Sequence, residues 1–155
     1  MEIDFEAKLK RFIIDNEIAA EHMHFEQTCH SVEEAARAAD AKPEDFVKNV
    51  CLIDAKGNAV VCIVKGEDRA SREEAAKLLG IEKLRMMTAQ EVLEKTGYPA
   101  GGTPSFGYAA TFLIDERVME RDFVLSGGGS ENGLVKIAPD ELLKANSGRV
   151  ARIHS

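Results

Sequence analysis

The stretch FVKNVCLIDAKGNAVVCIVK (residues 46–65) has the pattern of two strands joined by a short turn. Residues 46–54 have the composition expected of a strand, and residues 59–65 are a nearly continuous apolar run. Such a run is typical of a strand buried on both faces. AKGN (55–58) between them supplies turn residues. These two strands predict a hairpin, and a hairpin excludes a purely parallel sheet.

Helical and strand patterns alternate on both sides of this hairpin. Helices are predicted over residues 5–15, 31–39 and 71–80 and from residues 88 and 139, and strands over 20–28, 83–87, 108–115, 121–126 and 133–138, with a last strand or tail at 149–155. Ser31 with Glu34 and Ser71 with Glu74 are capping boxes. We therefore predict a mixed α/β fold in a single domain (1–155), with a largely antiparallel, curved sheet of about seven or eight strands and about five packed helices.

The composition is that of an ordinary globular chain. Of 155 residues, 45% are hydrophobic and 30% charged, and no window approaches the roughly 20 apolar residues of a membrane span. The charged N-terminus has no apolar signal-peptide core, which predicts a cytoplasmic protein with no membrane partner. A net charge of −7 argues against DNA and against any broad nucleic-acid surface, but it allows a small local site for a strand end.

The three cysteines, Cys29, Cys51 and Cys62, form no CxxC pair, and two of them lie in apolar runs. We interpret them as buried free thiols. His22 and His24 alternate on a predicted strand and are followed by Cys29 and His30, but the spacing is not that of a metal site. The sequence therefore predicts no metal.

Lys48 is unusual because it lies inside a predicted strand, on the same face as Val50 and Leu52. An ammonium beside apolar side chains needs an anionic partner or an exit to water. It either extends into solvent near the strand end or holds a phosphate or carboxylate of a ligand. Asn49 faces the other side of a regular strand, and only a bulge would bring both residues to one site.

Most of the glycines in the chain lie in two predicted loops. The first glycine loop, TGYPAGGTPSFG (residues 96–107), and the second glycine loop, LSGGGSENG (residues 125–133), hold more than half of its 12 glycines. They match neither a P-loop nor a dinucleotide fingerprint. Each is either a plain turn or a place where backbone N–H groups approach an anion closely.

Familiar catalytic motifs are missing, including GxSxG and HExxH. Ser126 and Ser130 have no histidine base that the sequence makes evident. An enzyme of this sequence would therefore position a water and stabilise charge with backbone donors, without a covalent nucleophile.

The order KNVCLID, TGYPAGGTPSFG, FLID and VLSGGG…GLVKIAPDELLK resembles the YbaK family, the free-standing relatives of the editing domain of bacterial prolyl-tRNA synthetases. The resemblance runs from about residue 20 to residue 155 and is strongest across 96–143. It implies the fold of that editing domain and a trans-editing activity that hydrolyses the ester of a mischarged tRNA, often tRNA-Pro. It also implies that no metal or cofactor is needed.

The resemblance also implies roles for individual residues. Lys48 matches the family lysine that engages the terminal adenosine or its phosphate, and Gly101 and Gly102 match the glycine loop that lines the aminoacyl pocket. These three are the predicted catalytic residues. The predicted substrate-binding residues are Thr28, His30, Asn49, Thr103, Pro104, Ser126, Gly127, Gly128 and Gly129.

Two branches of the family are mixed in this chain. The Lys48–Asn49 pair resembles relatives that remove alanine, whereas the Ser126–Gly129 turn looks more like the branch that clears cysteine. The implied partners are the acceptor end of an aminoacyl-tRNA and an aminoacyl-tRNA synthetase. Two alternatives stay open: a non-catalytic module that binds a tRNA 3′ end, a nucleotide or a synthetase, and a small-molecule anion-binding protein.

Overall fold

A computed structural model of the chain describes residues 3–26 and 32–155. The helices in these residues are α1 (Phe5–Asp15), α2 (Val32–Ala39), α3 (Arg72–Leu79), α4 (Ala89–Thr96) and α5 (Pro139–Asn146). The strands are β1 (Ala20–His24), β2 (Val47–Asp54), β3 (Ala59–Lys65), β4 (Leu84–Met86), β5 (Thr111–Asp115), β6 (Val124–Gly127), β7 (Gly133–Ile137) and β8 (Arg149–Ala151). Short 3-10 turns occupy Pro43–Asp45 and Val118–Glu120.

The strands form two sheets. One has five strands in the order β4-β2-β3-β5-β8, antiparallel from β4 to β3 and parallel from β3 to β8. The other is antiparallel, in the order β1-β7-β6. A parallel bridge between Phe46 and Leu125 connects them at the start of β2. The predicted mixed, largely antiparallel α/β class is confirmed, and the one predicted sheet is divided in two at this bridge.

The central hairpin has the predicted form. β2 and β3 pair without interruption from Val47 opposite Lys65 to Ile53 opposite Ala59. The five inner residues of β3 are all buried, because helices and a second sheet cover both faces of the five-stranded sheet.

Three hydrophobic clusters explain this burial. The first lies on one face of β2 and β3 and includes Leu9 of α1, Val92 of α4 and Leu142 of α5. The second lies on the opposite face, where Ala75 of α3 packs. The third joins α2 to Phe46. The hairpin therefore runs through the centre of the molecule, and its ends reach the surface.

The helix ends follow their sequence signals. At the start of α3 the Ser71 side chain accepts a hydrogen bond from Glu74 N, which is one half of the predicted capping box, and Thr88 with Glu91 forms a complete capping box on α4. Gly80 and Gly97 end these helices in the left-handed conformation, with φ of 66° and 80°. That conformation favours glycine because it has no Cβ.

Some strand boundaries differ from the prediction. β5 begins at Thr111 and not at residue 108, because Gly107 turns with a φ of 99° and the Tyr108 hydroxyl donates to Pro104 O at 2.7 Å. β6 begins at Val124 and not at residue 121, after the 3-10 turn. Of the capping box predicted at Ser31 and Glu34, Ser31 lies outside the described residues.

Asp115, at the end of β5, holds the C-terminal segment. Its Oδ1 accepts hydrogen bonds from Ile153 N at 2.8 Å and His154 N at 3.0 Å, and its Oδ2 accepts one from Arg117 N at 3.2 Å. His154 Nδ1 lies 2.8 Å from Oδ1. Burial raises the pKa of the Asp115 carboxyl, but these hydrogen bonds outweigh burial and hold that pKa below its ordinary value.

Cys51 and Cys62 are buried free thiols, as the sequence predicts, and Cys29 lies outside the described residues. They lie on opposite faces of the sheet, in the first and second hydrophobic clusters. Burial raises the pKa of Cys51 to about 11 and that of Cys62 to about 12. None of the helices in the described part of the chain has the length and apolar character that crossing a bilayer requires.

Candidate functional site at the two glycine loops

The two glycine loops pack directly against each other. Gly129 N donates a 2.8 Å hydrogen bond to Gly102 O. A methyl group on Gly102 would lie 2.6 Å from the carbonyl carbon of Gly129, and one on Gly127 would lie 2.7 Å from that of Thr103. Both distances are far below van der Waals contact, and both neighbours are backbone. These glycines are therefore required because the other loop occupies the space that a side chain would fill.

Gly101 has a different environment. It is exposed, and a methyl group there would meet only the Glu131 side chain, at 3.1 Å. Gly101 is the third residue of a turn closed by the Gly102 N–H, which donates to Pro99 O at 2.9 Å. The turn does not use the Gly101 N–H, and no hydrogen bond found among the described residues uses it either. Among residues 3–26 and 32–155, the N–H of the exposed residue Gly101 therefore has no hydrogen-bond partner.

Asn49 connects both loops to β2. Its Nδ2 donates to Thr103 O at 2.9 Å and lies 3.4 Å from Ser126 Oγ. Its Oδ1 accepts a 2.6 Å hydrogen bond from Ser105 Oγ. Ser105 Oγ and Ser126 Oγ are also 2.6 Å apart. One polar cluster therefore contains a strand residue and residues from each glycine loop.

Lys48 is next to this cluster in sequence but faces away from it. The uninterrupted β2–β3 ladder has no bulge, so the side chains of Lys48 and Asn49 leave β2 on opposite faces. Lys48 is exposed, and within residues 3–26 and 32–155 its ammonium has no hydrogen bond or ion pair. It shares its face with Val50 and Leu52, as the strand alternation predicts. Its charge is thus free to meet a ligand that approaches from solvent.

The remaining predicted residues are divided between the first loop and the undescribed segment. Thr103 Oγ1 donates to Pro99 O at 2.9 Å, and Pro104 is buried with its carbonyl oxygen bound to Tyr108. Thr28 and His30 lie outside the described residues.

A second network supports the second glycine loop from the side of α1. Ser130 Oγ donates to Glu6 Oε2 at 2.7 Å, and His24 Nδ1 lies 2.9 Å from Glu6 Oε1. His22 Nε2 lies 2.7 Å from Gly128 O, which makes it the donor of that hydrogen bond. Gly129 has a φ of 96° and packs closely against α1. A methyl group on Gly129 would lie 2.8 Å from Phe5 O.

Glu6 is the charged centre of this network. Burial raises the pKa of its carboxyl, but the hydrogen bonds from Ser130 and His24 outweigh burial and hold that pKa below its ordinary value. Glu6 is therefore a carboxylate at neutral pH and holds the second glycine loop as a charged acceptor.

The sequence analysis missed Ser105 and Glu6. Ser105 follows Pro104 in the first glycine loop, but nothing in its spacing distinguishes a buried serine from an exposed turn residue. Glu6 lies in helix α1, and its position among other charged residues indicates a helix face exposed to solvent. In the structure Ser130 Oγ also accepts a hydrogen bond from Asn132 N at 3.0 Å, a local turn that the sequence analysis did not identify.

Grooves lie elsewhere on the described surface. One, of about 890 Å³, lies between α3 and β4, and two others have volumes of about 490 and 400 Å³. None of these three is lined by the predicted site residues. Among the described residues, no group of three or more His, Cys, Asp and Glu side chains is placed to hold a metal ion.

The pattern of the aminoacyl-tRNA editing domain family matches residues 26–145. This span is more than half of the chain and includes β2, both glycine loops and every predicted site residue. The chain belongs to this family. The family match thus covers the two glycine loops and the strand that carries Lys48. Glu6 and His22, which support the second glycine loop, lie before the matched residues.

Individual relatives of this editing domain are distant in sequence. The uncharacterized protein YwhH of Bacillus subtilis is 25% identical over 128 residues, which cover 81% of each chain. EbsC of Enterococcus faecalis, described as a candidate Cys-tRNA(Pro)/Cys-tRNA(Cys) deacylase, is 22% identical over 125 residues, 79% of this chain and 76% of its own.

The fold has a close match among solved structures. The crystal structure of a candidate trans-editing enzyme for prolyl-tRNA synthetase superposes with a TM-score of 0.88 at 26% identity, covering 99% of both chains. The match over 99% of this chain includes α1, so the helix that carries Glu6 belongs to the shared fold. The resemblance predicted from the sequence is confirmed in family and in fold.

Proposed function

We propose that this protein is a trans-editing aminoacyl-tRNA deacylase. It hydrolyses the ester that joins a wrong amino acid, such as alanine, cysteine or another small residue, to the 3′ end of a tRNA, with tRNA-Pro as the first candidate. The observation that carries the proposal is the meeting of both glycine loops at Asn49 of β2, all within the region matched by the editing family.

The chemistry needs few groups. A water oxygen attacks the carbonyl carbon of the ester, the bond to the ribose oxygen breaks, and the water supplies one proton to that leaving oxygen and a hydroxyl to the amino acid. The ester is already activated, so positioning and stabilisation of the oxyanion can supply the rate enhancement. The N–H of Gly101, which has no partner among the described residues, is the backbone donor that we assign to the developing oxyanion.

Lys48 provides the charge for the nucleic acid. Its exposed ammonium has no partner among the described residues, so binding a phosphate of the tRNA 3′ end does not require it to leave an existing ion pair. The net charge of −7 keeps the footprint on tRNA small and its salt dependence shallow. A synthetase that hands over the charged tRNA would offset this weak binding, and such a handover requires the protein to act in the cytoplasm, where translation occurs.

The test is hydrolysis of a panel of tRNA-Pro species charged with alanine, cysteine, serine or threonine. We expect at least one of these esters to be hydrolysed faster than in buffer. Lys48→Ala should lower kcat/KM at least tenfold, whereas Lys56→Ala, at another exposed lysine in the 55–58 turn, should leave it unchanged. Because both lysines are exposed, both variants should unfold at the same denaturant concentration as the wild type.

The alternatives give different results in the same panel. Binding of a charged tRNA 3′ end without hydrolysis of any ester would replace the deacylase by a non-catalytic binding module. Full activity of Lys48→Ala would retain the enzyme and remove the phosphate anchor.

A further inference from the structure

We infer that Asn49, Ser105 and Ser126 form a clamp that fixes both glycine loops on β2, and that Ser105 is a positioning residue for the reaction. This inference rests on the proposed function for its effect on catalysis. The contacts are the 2.6 Å hydrogen bond from Ser105 Oγ to Asn49 Oδ1, the 2.6 Å separation of the two serine oxygens and the bond from Asn49 Nδ2 to Thr103 O.

The direction of every hydrogen bond in the clamp is determined. Thr103 O is a carbonyl and can only accept, so the amide nitrogen of Asn49 must face it at 2.9 Å. The amide oxygen of Asn49 therefore faces Ser105, and the single hydroxyl proton of Ser105 must be donated to it. The short contact between the serines can then exist only if Ser126 donates its proton to Ser105.

This direction limits what Ser126 can do. Its proton is committed to Ser105, so Ser126 offers a substrate only acceptor lone pairs. It cannot donate to an oxyanion unless the clamp breaks. Asn49 Nδ2, 3.4 Å from Ser126 Oγ, closes the ring from the third side. Ser126 is therefore part of the support of the site and is neither nucleophile nor oxyanion donor.

Burial makes the clamp costly to open. Ser105 is fully buried, and Ser126 is 2% exposed. If one hydroxyl is removed, its buried partner loses a hydrogen bond, and an unsatisfied buried group carries a desolvation cost. The first glycine loop would then be held to the second mainly by the hydrogen bond from Gly129 N to Gly102 O and by the backbone packing at Gly102 and Gly127.

The clamp matters for the reaction because it sets the distance between the loop that carries Gly101 and the strand that carries Lys48. Asn49 is the neighbour of Lys48, and Thr103 lies two residues after Gly101. A displacement of about 1 Å at such a site can cost on the order of 100-fold in rate. Ser105 cannot touch substrate, since it has no exposed surface, so its effect must act through the loops.

The experiment compares Ser105→Ala with the wild type in two measurements. In amide hydrogen exchange, protection of Gly129 N–H relative to that of Cys62 N–H, in the buried strand β3, should fall at least tenfold. In hydrolysis of the best substrate of the panel, kcat should fall roughly 10- to 100-fold while KM changes less than about twofold.

Two further variants complete the design. Ser105→Cys keeps the side-chain shape and a weak donor, so its exchange ratio and kcat should lie between those of the wild type and Ser105→Ala. It also serves if Ser105→Ala does not fold. Ser71→Ala removes the cap of α3, far from the loops, and should lower global stability without changing the exchange ratio.

The outcomes separate the two proposals. An unchanged exchange ratio in Ser105→Ala and in Ser105→Cys overturns the clamp, whatever the activity. A lowered ratio with wild-type kcat overturns the positioning role. A lowered ratio in a protein whose wild type hydrolyses none of the charged tRNAs supports the clamp and removes the deacylase.

Discussion

Ser130 Oγ donates a 2.7 Å hydrogen bond to Glu6 Oε2 across 124 positions of the sequence. This contact joins the first turn of α1 to the second glycine loop. The same carboxylate also faces His24, so one charged group holds a helix, a strand and a loop together. The N-terminal helix is therefore part of the support of the candidate site, although the family match begins only at residue 26.

Replacing Glu6 by glutamine should make stability less dependent on pH. The pKa of Glu6 in the folded protein is below its ordinary value of 4.5, so its contribution is complete above pH 4.5 and is lost as the pH falls through the folded-state pKa. Glu6→Gln should lower the free energy of unfolding by about 1.5 kcal/mol at pH 7 and by much less at pH 3. Urea unfolding at both pH values measures this.

Glu82→Gln, at an exposed glutamate, is the matched control and should leave stability unchanged at both pH values. Equal losses for Glu6→Gln at pH 7 and pH 3 would contradict a charged role for this carboxyl.

Gly102 and Gly101 should respond differently to alanine. At Gly102 the new methyl group meets the backbone of the second glycine loop, so Gly102→Ala should cost about 1–3 kcal/mol of unfolding free energy. At Gly101 the methyl meets a side chain and no backbone, with Glu131 Cγ the nearest atom at 3.1 Å. Gly101→Ala should therefore keep the wild-type stability and lose hydrolysis, because the methyl crowds the free N–H. Thermal unfolding and hydrolysis rates distinguish the two, and a stable, active Gly102→Ala protein would refute the close packing of the loops.

Asp115→Asn should weaken the attachment of the C-terminal segment. The amide nitrogen would face backbone N–H donors that now point to a carboxylate oxygen, which should cost about 2–3 kcal/mol at pH 7. The pKa of Asp115 is depressed, so this contribution is present above its ordinary value of 3.8 and is lost at lower pH. Asp122→Asn, at an exposed aspartate, provides the baseline in urea unfolding at pH 7 and pH 3. Equal stability of the two variants at pH 7 would be evidence against the role of Asp115.

Cys51 and Cys62 should be inert in the folded protein. With pKa values raised to about 11 and about 12, both are protonated at pH 8, and both are buried. Peptide mass spectrometry after iodoacetamide treatment at pH 8 should find them alkylated only when urea is added. Alkylation of either in native buffer would show that its strand opens.

Local signals in the sequence predicted much of the fold. The apolar run at 59–65 is buried on both faces, Ser71 and Thr88 cap their helices, and Gly97 ends α4 as a left-handed cap. These features depend on neighbours within a few residues, which a single sequence displays directly. The division into two sheets, connected by the bridge from Phe46 to Leu125, depends on long-range strand pairing that no local pattern shows.

The candidate site was predicted by its family order, but its internal geometry was not. The sequence left each glycine loop open between a plain turn and a close backbone approach to an anion, and it did not show that Gly102 and Gly127 pack against the other glycine loop. The clamp joins Asn49 to Ser105, which is 56 positions away in the sequence, and to Ser126, which is 77 positions away. Such long-range hydrogen bonds leave no periodicity to detect.

The parallel pairing of β3 with β5 has a consequence for the order of folding. α3, β4 and α4 lie between β3 and β5 in the sequence, so this pairing closes a long loop at a high cost in chain entropy. The loop that bears Gly101 lies inside that connection, just before β5. We therefore expect the central hairpin to form before the first glycine loop is in place, and pulse-labelled refolding should show the Gly129 amide gaining protection after that of Cys62.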